Sequence, residues 1–140
     1  ISVPKVACLN MHSTLLPKHR GVQGIWWTLF NGDAEAGVTV HLINEEVDSG
    51  DIIVQKHFPI KNSLSQFKLA YITKRIGFFC IIESIIRMHL GNFRKMPLEK
   101  GKGNYNYSPS LDEVKQFQRK GNRVITVKDL NLILSFNPNF

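Results

Sequence analysis

Between Leu64 and Leu90 apolar residues recur at mostly helical spacing, at Leu64, Phe67, Tyr71, Phe78, Ile82, Ile85 and Ile86, and the run stops at Gly91. That pattern predicts one long helix from about Leu64 to Leu90. Ser63, with Gln66 three residues on, resembles a capping box and marks its start. The most apolar part, Ile76 to Leu90, is interrupted by Glu83, Arg87 and His89 and falls short of the roughly 20 apolar residues that span a bilayer. The chain is therefore read as having neither a membrane segment nor a signal peptide.

A sheet supplies the partner layer. Lys5 to Asn10 is a short apolar run (Val6, Ala7, Cys8, Leu9) that suits a strand buried on both faces of a parallel sheet. Ile25 to Phe30, ended by Asn31 and Gly32, predicts a short helix with a glycine stop. Gly37 to Asn44 alternates in the strand manner, with Val38, Val40 and Leu42 on one face and Thr39, His41 and Ile43 on the other. A second strand, Asp51 to Phe58, follows the turn-forming Asp48-Ser49-Gly50, which places Asp48 on a loop at a strand end. Ser110 and Glu113 form a further capping-box pair opening a helix that stops at Gly121, and Val124 to Leu134 is expected to be a final strand or strand pair. Strands alternating with helices make this an α/β layered sheet.

The 140 residues suit one compact domain, and 43% hydrophobic with 21% charged residues excludes disordered and fibrous classes. Cys8 and Cys80 each sit in an apolar run, as small core residues do, which fits a reducing cytoplasm. The net charge of +7 favours anionic ligands, yet the cations are spread from Lys5 to Lys128 without a block. A generally solvated basic surface, including Lys18, His19 and Arg20, is preferred to a nucleic-acid stripe. Adjacent Trp26 and Trp27 face different ways on a helix, so one is core and at most one lines a site.

Asn10 and His12 stand two apart at a strand end, so an extended backbone aims both side chains the same way. An amide donor beside an imidazole is what acyl transfer to an amine requires: one stabilises oxyanion charge, and the other assists there or manages a proton. His41, on a strand face, is read as a packed or half-exposed residue rather than a ligand. A zinc site from His12, His41 and Asp48 lacks any paired His or Cys motif, and no metal is expected.

The blocks Asn10-Met11-His12, Leu15-Leu16-Pro17, Arg20-Gly21, Asn31-Gly32-Asp33, Gly37-Val38-Thr39-Val40 and Val47-Asp48-Ser49-Gly50-Asp51-Ile52-Ile53 follow in order between Val6 and Gln55. Together they resemble the 10-formyltetrahydrofolate-dependent formyltransferase family. Departures are modest: His19 stands where an aromatic is common, and Val22 to Gly24 replaces a Pro-containing version. The resemblance implies that Asn10, His12 and Asp48 are catalytic. The amine attacks the formyl carbon, Asn10 and His12 stabilise the oxyanion, and Asp48 tunes His12 or helps relay protons. It further implies a folate wall at Val47 and Asp48, and 10-formyltetrahydrofolate as co-substrate.

The resemblance also implies a formyltransferase-type, Rossmann-like sheet whose N-terminal half is missing, and the start at Ile1 reads as cut from something longer. Residues 1–100 are then the C-terminal part of the catalytic domain and 101–140 an extension packed on it. The pattern Tyr105, Tyr107, Pro109, Phe117, Gly121 and Arg123 looks like the continuation in formyltransferases acting on amino-sugar nucleotides. A phosphate-bearing amine is thus the expected partner, with methionyl-tRNA or a purine-pathway ribonucleotide as alternatives and a homo-oligomer left open. A formyltetrahydrofolate hydrolase and a noncatalytic fragment are the competing classes.

Overall fold

The computed structural model describes residues 4–61, 64–98 and 102–135. In chain order the elements are β1 (Leu9–His12), β2 (Arg20–Gly21), α1 (Gly24–Asn31), β3 (Glu35–Leu42), β4 (Ile52–Pro59), α2 (Gln66–His89), β5 (Tyr105–Asn106), α3 (Leu111–Arg119) and α4 (Val127–Leu134). Strands β1, β3 and β4 form one sheet in the order β1-β3-β4, and β2 pairs with β5 in a second, two-stranded one.

The three-stranded sheet is antiparallel at both contacts, not parallel as the apolar run at Lys5 to Asn10 suggested. For the β3–β4 contact the reason is length: the connection from Ile43 to Asp51 is shorter than the roughly dozen residues a parallel crossover needs. The first strand also begins later than expected, at Leu9, and is only half-buried. Cys8 is likewise half-buried, whereas Cys80 is in the core. Register shifts between Val40 and His41, so that consecutive residues Ile52, Ile53 and Val54 of β4 are all buried there. Such a bulge re-aims the side chains beside it.

Helix α2 packs on this sheet with the face that pattern reading left out. Leu69, Thr73, Gly77, Cys80 and Ser84 are buried, while Phe78 is 62% and Phe79 66% exposed, and Ile82, Ile85 and Ile86 are exposed too. Small residues allow close approach: a Cβ at Gly77 would run into the Met11 side chain of β1. The hydroxyls of Thr73 and Ser84 are satisfied locally, donating to the Leu69 carbonyl at 3.0 Å and the Cys80 carbonyl at 2.7 Å, so neither costs an orphaned polar group. The Ser63 end of the proposed capping box lies outside the described residues. The helix is capped by Ser65, whose hydroxyl accepts from the Lys68 N–H at 3.0 Å. Because Ser65 is 2% exposed, Ser65→Ala should cost about 1 kcal/mol. Urea unfolding reads this as a lower midpoint at unchanged slope, and an unmoved midpoint would deny the cap any role.

The remaining helices close a second core. Trp26 of α1 stacks on Phe30 and on Phe117 of α3, each at 4.8 Å between centroids, with Leu29, Ala36 and Leu69 beneath. Helix α1 ends as predicted at Gly32, in the left-handed region at φ 69°. The Ser110–Glu113 capping box opens α3 as expected. Val124 to Leu134 is not a strand: Thr126 and Asp129 exchange hydrogen bonds as a capping box and start α4. Among the described residues no helix is long and apolar enough to cross a membrane.

Candidate functional site

Residues Asn10 and His12 leave β1 on one face, as alternation requires, opposite His41 and Thr39 of β3 respectively. Asp48 reaches them from the loop between β3 and β4, with its backbone in the left-handed region at φ 50°, where Asp is among the few tolerated residues. Its Oδ1 accepts from Asn10 Nδ2 at 3.2 Å, and its Oδ2 lies 3.4 Å from His12 Nδ1. All three side chains line one polar cavity of about 380 Å³, together with Gly21, Gly24, Gln66 and Lys74. Sequence reading thus brought together three residues that the fold also brings together. Val47 stands apart: it is 55% exposed, and its carbonyl accepts from Arg20 Nε at 3.3 Å.

Hydrogen-bond partners assign the protons. His12 Nε2 lies 2.8 Å from the His19 carbonyl, which only accepts, so Nε2 carries the hydrogen. In the neutral ring the lone pair is therefore on Nδ1, facing Asp48. His41 Nδ1 lies 2.8 Å from the Leu42 carbonyl and is protonated by the same logic, which leaves Nε2 to accept from Asn10 Nδ2 at 3.1 Å. Both Asn10 amide protons are thus engaged, one by His41 and the other, at the longer 3.2 Å, by Asp48.

Burial pushes the His12 pKa down from its ordinary 6.5, and this outweighs the upward pull of the Asp48 carboxylate and the His19 carbonyl. Burial alone would push Asp48 up, but the His41 imidazole 3.6 Å away, the His12 imidazole and the Gly21 N–H at 2.9 Å hold it below its ordinary 3.8. At neutral pH the site is therefore a neutral imidazole beside a carboxylate. A base at Nδ1 that takes a proton becomes an imidazolium directly facing its counterion.

Four contributors were not foreseen as parts of the site. His41 is packed as expected, at 2% exposure, but also fixes the Asn10 amide; no sequence signal encodes that cross-strand register. His19, expected to be solvated, is 3% exposed because its ring pairs with Asp33 at 2.8 Å. Gly21 offers its N–H to Asp48. Gly24, at the N-terminus of α1, has no room for a side chain against Thr14 and lets that helix end approach His12. Among the described residues no group of three His, Cys, Asp or Glu side chains is arranged to hold a metal ion.

Fold and cluster together define a class: an α/β protein that gathers an amide, an imidazole and a carboxylate at one polar cavity, the equipment of acyl-group chemistry. Residues 1–80 match the Formyl transferase family, and the chain belongs to that family. It is 31% identical, over 99% of its length, to a methionyl-tRNA formyltransferase of Synechococcus sp. (strain JA-3-3Ab), of which it covers 42%. Its fold is similar to that of an N-formyltransferase from Helicobacter canadensis in complex with folinic acid and dTDP-3-aminofucose, at TM-score 0.65 and 25% identity, covering 77% of this chain and 45% of that one. It is equally similar, at TM-score 0.65 and 25% identity, to the formyltransferase PseJ from Anoxybacillus kamchatkensis in complex with UDP-4,6-dideoxy-4-formamido-L-AltNAc and tetrahydrofolate, covering 79% of this chain and 56% of that one. The chain thus spans about half the length of these relatives or less. The α/β class and formyltransferase-type sheet expected from the sequence are those of these neighbours.

Proposed function

We propose that this chain carries the reacting centre of a cytoplasmic formyltransferase that moves the formyl group of 10-formyltetrahydrofolate to the amine of an amino-sugar nucleotide. The observation that carries the reading is the meeting of Asn10, His12 and Asp48 around one cavity. In this reading the amine adds to the formyl carbon, and the Asn10 proton now given to Asp48 turns to the developing oxyanion. His12 Nδ1 accepts the proton the amine loses, with Asp48 as counterion. Collapse of the adduct breaks the bond to the folate nitrogen, which takes that proton back, leaving a formamide and tetrahydrofolate. Val47 and Asp48 would wall the folate, residues 1–100 would belong to the catalytic domain, and 101–140 would be an extension packed on it.

Both sugar-nucleotide structures support the substrate class, as does Lys74, an exposed cation on the cavity edge that suits a phosphate-bearing amine. A second reading, methionyl-tRNA as acceptor, is favoured by the 31% identity to a methionyl-tRNA formyltransferase and by the net charge of +7. The native full-length protein supplied with 10-formyltetrahydrofolate and amino-sugar nucleotides, methionyl-tRNA or glycinamide ribonucleotide decides, with His12→Ala as the blank. A formylated sugar nucleotide is expected. Formate released without any acceptor would replace this reading with a hydrolase.

The acid limb of kcat/KM gives a further check. His12 must be neutral to act as base, and its pKa is lowered, so activity should persist as pH falls past 6.5 and decline only below it. Asp48, lower still, stays ionised throughout that window. A limb centred above 6.5 would contradict the assignment of His12.

A further inference from the structure

The polar groups of His19 all point to one task. Its backbone lies in the left-handed region at φ 55°, which a side chain this large adopts only when its surroundings enforce it. The surroundings are specific. Nε2 meets Asp33 Oδ2 at 2.8 Å, Nδ1 meets Asn106 Nδ2 at 3.1 Å, and the backbone N–H donates to Asn104 Oδ1 at 2.9 Å. Asn104 Nδ2 in turn donates to Asn106 Oδ1 at 3.0 Å, which fixes the Asn106 amide with its nitrogen toward His19. The remaining group of His19, its carbonyl, accepts from His12 Nε2 at 2.8 Å.

The same segment holds the next residues. Arg20 and Val22 donate their N–H groups to the carbonyls of Asn104 and Asn106 at 3.0 and 3.1 Å, and Gly21 pairs with Asn106 so closely that a Cβ there would strike the Asn106 carbonyl. Gly21 is the residue whose N–H holds Asp48. Two backbone groups of one short loop therefore orient two residues of the reacting centre, and the loop is itself clamped from outside by residues 104–106.

We propose that Asn106, acting through His19, is a positioning residue: it locks the loop that presents the His19 carbonyl to His12 and thereby fixes which nitrogen of the His12 ring faces Asp48. The proposal rests on the functional reading above for its kinetic consequences, but its core statement concerns the ring alone. Holding Nε2–H on a carbonyl keeps the basic lone pair on Nδ1. Freed from that carbonyl, the ring can turn or exchange tautomers, and the base is no longer aligned with its counterion.

Histidine-labelled native protein tests this by long-range proton–nitrogen NMR, which distinguishes the two ring nitrogens. At a pH where the ring is neutral, His12 is expected as the Nε2–H tautomer in the parent and as a mixture in Asn106→Leu. In the same variant kcat should fall about tenfold to a hundredfold, with the KM values of both substrates near those of the parent. The acid limb should move to lower pH, because the His19 carbonyl favours the protonated ring and its loss weakens that support. A variant that was merely less folded would lose rate equally at every pH. An Nδ1–H tautomer in the parent overturns the proposal even if Asn106→Leu fails to fold, and so does an Asn106→Leu protein with the parent's tautomer and pH profile. Failure of the formyltransferase reading would instead appear as absent turnover in the parent with the tautomer as expected.

Discussion

Asp48→Asn is expected to lose about a hundredfold or more in kcat/KM for formyl transfer while its circular dichroism stays that of the parent. The substitution isolates charge. Asparagine has nearly the same volume and tolerates the left-handed backbone at φ 50° that this position adopts. What it cannot do is accept at both ends: the carboxylate takes Asn10 Nδ2 on Oδ1 and the Gly21 N–H on Oδ2, while an amide leaves one of these donors facing NH₂. It also cannot stabilise an imidazolium. A unit charge pair at 3.4 Å is worth roughly 5 kcal/mol at an effective dielectric near 20, and a little over half of that accounts for a hundredfold in rate. If Asp48 were only a turn residue, asparagine would serve equally well and turnover would be close to normal. The acid limb adds a second readout: without the carboxylate, His12 loses its largest upward influence, so the limb should move to still lower pH.

The pairing of Asn10 with His12 was legible because strand alternation is a property of the backbone, indifferent to what the strand packs against. Asp48 was legible only through its resemblance to a family motif, since nothing local says that a turn more than thirty residues away folds back onto β1. His41 and His19 escaped because their roles depend on cross-strand register and on a loop conformation set by Asn104 and Asn106, both long-range facts. For α2 the position was legible and the packed face was not. Periodicity located the helix, but hydrophobicity does not mark its inner face, because distance of approach governs that contact: Thr73, Gly77 and Ser84 admit the sheet where Phe78 or Ile85 would hold it off. At Val124 to Leu134 the β-branched residues suggested a strand, while Thr126 and Asp129, at capping-box spacing, already carried the helix signal.

Phe117→Ala should cost about 3–5 kcal/mol, the scale of an aromatic side chain removed from a closed core. Phe117 is 1% exposed and stacks on Trp26 at 4.8 Å, so its loss opens a cavity under the helix whose N-terminus lines the site. Neighbouring ties leave little room for collapse. Lys120 Nζ donates to the Phe30 carbonyl at 2.7 Å and Asn122 Nδ2 to the Leu29 carbonyl at 3.2 Å, holding the end of α1. The N–H groups of Gln66 and Phe67 reach the carbonyls of Arg123 and Val124 at 2.9 Å, holding the start of α2. A segment bound to both helices is expected to unfold with them, so the proposed division near residue 100 should leave no thermodynamic trace. Urea unfolding of the variant should show one transition by fluorescence and by circular dichroism, at a lower midpoint than the parent's. Two separated transitions, with only the later one keeping the parent's midpoint, would mean that residues 101–140 form an independent unit and that Phe117 stabilises that unit alone.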